Sequence, residues 1–175
     1  MENTSSSTKP TVDSGGYAIY EKDNKVCFVN YSIRWVYILN FVSGLLLTIL
    51  LINGVAQLFI NSIAGIIILL VALPFLLILI LGVRLINKRK SKSLDELNKT
   101  AIIDFNNKQL LNKHGQPLAP LETVTFYKAW QLGDSSRSVE ARWPNGSITL
   151  ARGLSLAGGS SEFVYYLVKK GLMKE

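Results

Sequence analysis

The sequence predicts an α+β membrane protein: a two-helix transmembrane hairpin joined to a cytoplasmic β-rich module that ends in a helix. Three observations carry this reading. No charged side chain occurs from Trp35 to Val83, between Arg34 and Arg84. The basic residues Arg84, Lys88, Arg89, Lys90 and Lys92 follow at once, with no acid among them. Further along, short alternating apolar runs separated by turn residues give way to one amphipathic stretch near the end of the chain.

A bilayer crossing takes about 20 apolar residues, so the tract is long enough for two. As a single helix rising about 1.5 Å per residue it would be roughly twice as long as the hydrocarbon is thick. The first crossing is expected from about Val36 to Phe59 and the second from about Ile63 to Val83, with Gln57, Asn61 and Ser62 marking the turn. Lipid offers no hydrogen-bond partner to the backbone, so both segments should be helical despite their many β-branched residues. Pro74 removes one donor and predicts a mild kink. Gly44 and Thr48 share a face and should let the helices approach closely, alongside Gly65 or Ala72. Asn40 is expected at the interface, and Asn53 in a hydrogen bond across the hairpin or near its turn. With no ionisable side chain in the span, the usual proton relay or ion-ligand set is missing, which counts against transport.

The formal net charge of +7 is unevenly spread. Residues 1–34 are neutral overall, and most of the excess lies in the run after the second helix. Basic residues near helix ends stay on the cytoplasmic side, which places both termini there. The same cluster suits an anionic phospholipid surface, making Arg84, Lys88, Arg89, Lys90 and Lys92 the candidate lipid-binding residues. It argues against a nucleic-acid face, because the β-rich part itself is only slightly basic. Trp35 and Tyr37 fit an interfacial anchor. The first apolar segment lacks the short core and cleavage pattern of a secretory signal and reads as a retained helix. A single cysteine, Cys27, excludes an internal disulfide or a thiolate metal cage.

Five regions result: a disordered N-terminus over residues 1–16, a β-hairpin over 17–33, the transmembrane hairpin over 34–86, a basic linker over 87–100, and the β-rich domain over 101–175. In the N-terminal hairpin, Asp23-Asn24 supplies turn chemistry and sets Ile19 opposite Phe28. A lone hairpin is marginally stable, so it should pack on the C-terminal module or the membrane surface. Leu94–Lys99 can form a short helical linker. Strands are expected over Ile102–Phe105, Lys108–Leu111, Thr123–Leu132 and Val139–Trp143. An Asn145-Gly146 loop would set Trp143 opposite Ile148, Ala141 opposite Leu150, and Arg152 near Val139. The closing helix has Ser160 or Ser161 as its cap, Glu162 in its first turn, Phe163, Val164, Leu167 and Val168 on its apolar face, and Gly171 as its stop. The expected core is Phe105, Val124, Phe126, Trp130, Trp143, Leu150 and Leu167.

Catalysis has little to work with. His114 is the only histidine and lies in a loop-like segment, and no motif connects it to Cys27. The acids are scattered, Asp134 in a Gly133–Ser136 turn among them, and no metal-binding or phosphate-cradling motif is present. Gly158-Gly159-Ser160-Ser161 reads as a turn plus helix cap rather than a phosphate site. No cofactor and no enzymatic activity are expected.

Two segments, Ile102-Ile103-Asp104-Phe105-Asn106-Asn107-Lys108 and Ser161-Glu162-Phe163-Val164-Tyr165-Tyr166-Leu167, carry a resemblance within this organisation. The chain resembles the small bacterial two-helix membrane proteins that carry a PH-like domain, over roughly residues 17 to 175. It departs from a full PH-like barrel in showing about five strands after the membrane segment rather than seven, a deficit the N-terminal hairpin could fill. The resemblance implies a binding or scaffolding module in a bacterial inner membrane and carries over no catalytic residue. The expected function is a nonenzymatic membrane-anchored adaptor that presents the β-rich module to a membrane protein partner. Recognition of anionic lipid headgroups is the alternative, a membrane enzyme or transporter is least favoured, and homo-oligomerisation stays open.

Overall fold

The computed structural model describes residues 9–129, 138–153 and 160–174. Trp130, the Gly133–Ser136 turn, Gly158, Gly159 and residues 1–8 lie outside them. The protein is α+β, and its chain forms two compact units. One is Ile33–Ser91; the other is built from the described residues on either side of it.

The β-rich unit starts before the expected hairpin. Strand β1 (Val12–Ser14) lies within the stretch expected to be disordered, paired to β2 (Tyr17–Lys22). The Gly15-Gly16 pair between them has positive φ at both residues, a conformation glycine adopts at no steric cost. Strand β3 (Lys25–Asn30) returns along β2 through Asp23 and Asn24, also both at positive φ, and this turn sets Ile19 opposite Phe28. The chain then leaves through the other unit. It re-enters as β4 (Lys99–Asp104), directly beside β3, with Val26 opposite Ile103 and Cys27 opposite Ile102. Strands β5 (Gln109–Asn112) and β6 (Pro117–Pro120) complete a six-stranded antiparallel sheet in the order β1 to β6. Prolines at both ends of β6 blunt that edge. Residues 94–97 form a turn rather than the expected helix, because β4 takes up Lys99 and Thr100.

After a single 3-10 turn at Leu121–Thr123, a second antiparallel sheet follows with β7 (Thr125–Ala129), β8 (Ser138–Trp143) and β9 (Gly146–Arg152). Six strands among the described residues thus follow the long helices, not five. The β8–β9 hairpin corrects the expected register: Trp143 faces Gly146, Ala141 faces Ile148, and Arg152 faces Ser138. The loop is Pro144-Asn145. An Asn145-Gly146 loop would put Pro144 at a paired position whose N–H must donate, and proline has none. Shifted by one residue, its fixed φ suits the first central position of the turn. Neither Asn145 nor Gly146 takes positive φ. Gly146 instead leaves room for the Trp143 ring, which a Cβ there would meet at 2.9 Å.

The core lies between the inner faces of the sheets and helix α3 (Ser161–Lys169). It comprises Ile19, Phe28, Ile103, Leu110, Phe126 and Leu150, with Phe163, Tyr166 and Leu167 from the helix. Tyr166 is buried where Val168 was expected, and Phe105, Val124 and Trp143 only border the core. The Ser160 side chain makes no cap bond, so the helix start is set by packing. Its end is closed by Gly171 at φ +70, with Leu172 N–H donating to Leu167 O and Gly171 N–H to Val168 O.

The opposite face of β2 and β3 is also buried. Ala18, Tyr20, Cys27 and Val29 are each at most 6% exposed. Tyr31 reaches over this face, its hydroxyl 2.8 Å from that of Tyr20. Burial on both sides explains why Tyr17–Tyr20 and Val26–Val29 are apolar almost without alternation.

The second unit is an antiparallel pair, α1 (Arg34–Ile60) and α2 (Ser62–Lys90), joined by Asn61 alone. Both run past the expected ends. Helix α2 continues through Pro74 as one helix and takes up Arg84 to Lys90, so most of the basic run is helix, not linker. Asn61 is extended, and its side chain accepts from Ala64 N–H, capping α2.

Candidate functional site

The helical pair is organised by a seam of small residues. From Asn40 towards the tip, the half-buried or buried positions of α1 are Asn40, Ser43, Gly44, Leu47, Leu50, Gly54 and Gln57, which recur at three- and four-residue steps along one side. Gly65, Ala72 and Gly82 are the buried positions of α2. Added Cβ atoms show how close the approach is. At Gly54 one would meet Leu69 at 2.7 Å; at Gly65, the backbone nitrogen of Leu58 at 2.6 Å; at Gly82, the Asn40 side chain. Gly44 is looser, with Leu79 at 3.9 Å, and Thr48 is exposed, its hydroxyl donating to Gly44 O within its own helix. The expected Gly44–Thr48 contact is therefore not the tight part of the seam. Asn53 likewise donates to Ile49 O in its own helix, not across the pair.

These contacts fix levels along the pair. Asn40 lies beside Gly82, Gly44 beside Leu79 and Gly54 beside Leu69, one residue up in α1 for one down in α2. The same register sets Arg34 level with Lys88 and Arg89, and Arg84 level with Leu39. At 100° per residue, Lys88, Arg89 and Lys90 point in three directions around the helix end. The candidate lipid-binding residues thus form a collar with Arg34, not a pocket, with Arg84 about 7 Å further along and Lys92 just beyond the helix. Trp35, beside the collar, is 79% exposed. Lys88, Arg89 and Lys90 also oppose the negative end of the α2 dipole.

From the level of Arg84 to Ser62 the pair is about 33 Å long, and from the collar about 40 Å. A bilayer has a hydrocarbon core of about 30 Å and a total thickness of about 40–45 Å. Both helices are long and apolar enough to cross a membrane, and only 6% and 11% of their most apolar stretches are buried. A core helix of a soluble domain would be mostly buried. Here Phe59, Ile60 and Ile63 at the tip are each more than 70% exposed.

In the β-rich unit the polar features are structural clasps. Asp104 is buried; its Oδ1 accepts from the N–H groups of Asn106 and Asn107, and its Oδ2 from Asn107 Nδ2 at 3.1 Å and Lys25 Nζ at 3.0 Å. Lys25, followed by the Asn107 N–H, holds the Asp104 carboxyl below its usual range. Lys25 therefore points to Asp104, which relieves its placement opposite Lys22. Lys170 binds Glu21 at 2.7 Å and lowers its pKa, tying the end of α3 to β2. Burial raises the pKa of the Cys27 thiol. Tyr127 donates to Glu140 at 2.7 Å, under the Arg142 guanidinium. His114 is exposed in a turn whose backbone is held by Asn112. A shallow groove of about 530 Å³ runs between β1 and α3, lined by Val12, Asp13, Glu162, Tyr165 and Lys169 among others. Among the described residues no three His, Cys, Asp or Glu side chains are grouped to hold a metal ion. Comparisons with protein-family models, with curated proteins and with solved structures find no match for this chain.

Proposed function

We propose that this protein is a nonenzymatic, membrane-anchored adaptor. Helices α1 and α2 cross the inner membrane as a two-span hairpin, both termini are cytoplasmic, and the β-rich unit is a PH-like module that binds a membrane protein partner. The observation that carries the reading is the site of insertion. The apolar pair interrupts the connection between adjacent strands β3 and β4, whose ends stay joined by the Asn30 N–H donating to Asn98 O at 2.9 Å. A module entered and left at one point of its sheet is held to the bilayer by two tethers at adjacent strand ends. The PH-like assignment is supported by two antiparallel sheets with a C-terminal helix packed into the core between them. The orientation is supported by the cationic collar opposite an uncharged tip.

Reporter fusions after Ile60 and after Leu172 test the topology. An active cytoplasmic reporter is expected at the second and an active external one at the first; the reverse pattern overturns the orientation. Purification in gentle detergent should recover a membrane protein at fixed stoichiometry, and its loss on substitution of the β-rich surface would tie it to the module. Turnover of a defined substrate, abolished by one side-chain change, would replace the adaptor by an enzyme. The second reading, contact with anionic headgroups, is favoured by the level placement of Arg34, Lys88, Arg89 and Lys90.

A further inference from the structure

We infer that the protein self-associates in the membrane through the outward face of α1, with Asn53 of each copy hydrogen-bonded to Asn53 of the other. This rests on the membrane-spanning reading above. Asn53 is exposed, on a flank of α1 about 90° round from the centre of the α2 seam, at the edge of a surface formed with Leu45, Ile49, Ile52 and Ala56. These five recur at three- and four-residue steps, so they form one surface. Asn53 lies about 21 Å from the Arg84 level and about 12 Å from Asn61, inside a hydrocarbon layer of about 30 Å. Its amide makes one bond, Nδ2 to Ile49 O at 2.8 Å. That leaves one N–H and the Oδ1 acceptor facing outward, where acyl chains can satisfy neither. Thr48, the other exposed polar side chain of α1 within this layer, has already spent its hydroxyl on Gly44 O.

The occupant that meets this demand is a second copy. An asparagine amide is its own complement, donor to acceptor in both directions, and a two-fold axis brings like residue to like. Ala56, one turn along, lets the backbones come close there. An acidic or basic partner residue would have to bring its own desolvation cost into the layer, which a second asparagine avoids.

The test uses the full chain in membrane vesicles and in detergent. In a Cys27→Ser background, single cysteines at 49, 52 and 56 should form disulfide-linked dimers under mild oxidation, and cysteines at 47 and 50 on the seam should not. Asn53→Leu should weaken dimerisation about tenfold in sedimentation equilibrium, and Asn53→Gln should weaken it less. A chain that resists alkaline extraction yet sediments as a monomer, or dimerises equally well as Asn53→Leu, overturns the inference and leaves the membrane reading intact. A chain released by alkaline extraction overturns both.

Discussion

The hydroxyl of Thr100 lies 3.3 Å from the carbonyl oxygen of Leu150 and 3.1 Å from that of Phe28, so its one hydrogen is shared between the two sheets. Each sheet has a bulge at this point. Thr100 is the residue skipped where the β3–β4 register shifts, and Leu150 the residue skipped between β8 and β9. A bulge frees backbone groups from its ladder and bends the strand. Here one bulge satisfies the other. Thr100→Val should destabilise the module by about 1–2 kcal/mol, and Thr100→Ser should recover most of that. Thermal unfolding of the detergent-solubilised chain would read the difference; equal stability of all three would show that the shared bond contributes nothing.

The module is built from both sides of the helical pair, so residues 92–175 alone lack β1 to β3 and should not fold. Joining Ser32 to Lys92 through a short Gly-Ser linker should yield a soluble, folded domain, since Asn30 and Asn98 already meet. Near-ultraviolet circular dichroism and amide-exchange protection would distinguish the two. A well-protected 92–175 fragment would show that the β3–β4 pairing is dispensable.

The helix seam should tolerate added volume unequally. Gly65→Ala and Gly82→Ala force a Cβ onto the Leu58 backbone or the Asn40 amide and should each cost about 1–3 kcal/mol. Gly44→Ala adds a methyl in ordinary contact and should be close to neutral. Melting temperatures of the three variants in one detergent would test the order, and a Gly44→Ala more damaging than Gly65→Ala would contradict the seam.

Asp104 links stability to pH. Its folded pKa is held below the ordinary carboxylate value, chiefly by Lys25, so the stabilisation is present above the unfolded pKa and lost as pH falls through the folded one. Asp104→Asn should therefore be less stable than the parent at neutral pH, with the gap narrowing as pH drops below about 4. Denaturation midpoints across that range would show it, and a gap that widened on acidification would reverse the sign.

The collar separates the adaptor from the lipid reading. Replacing Lys88, Arg89, Lys90 and Lys92 by Gln should weaken contact between the reconstituted chain and anionic headgroups, and raising the salt should do the same to the parent. Infrared or fluorescence reporters of headgroup contact in vesicles with and without anionic lipid would measure this. Indifference to lipid charge leaves the run as a topology signal and helix-end complement.

How much of this was legible depended on how local the cause is. The two long helices follow from a charge-free, predominantly apolar composition between Arg34 and Arg84, and the Ile19–Phe28 register from Asp23-Asn24, whose turn chemistry acts over a few residues. The Asn145-Gly146 signal misled because Pro144, one position earlier, constrains the backbone more strongly. The closing helix was legible from its Glu162 start and Gly171 stop, but its buried face was not, because Tyr166 rather than Val168 meets the core.

Sequence by itself determined the apolar pair, its charge-free tip, its basic end and the Asp23-Asn24 turn, because each is set by neighbours in the chain. Only the tertiary structure decided that β3 pairs with β4 across the whole helical pair, which makes one module of two separated segments. It alone also decided that Asp104 is buried against Lys25, that Gly65 and Gly82 rather than Gly44 set the closest helix approach, and that the bulges at Thr100 and Leu150 meet. Most such contacts join residues dozens of positions apart, and no local periodicity or turn residue records them. They form because burying both faces of β2 and β3 removes more apolar surface from water than a free hairpin can.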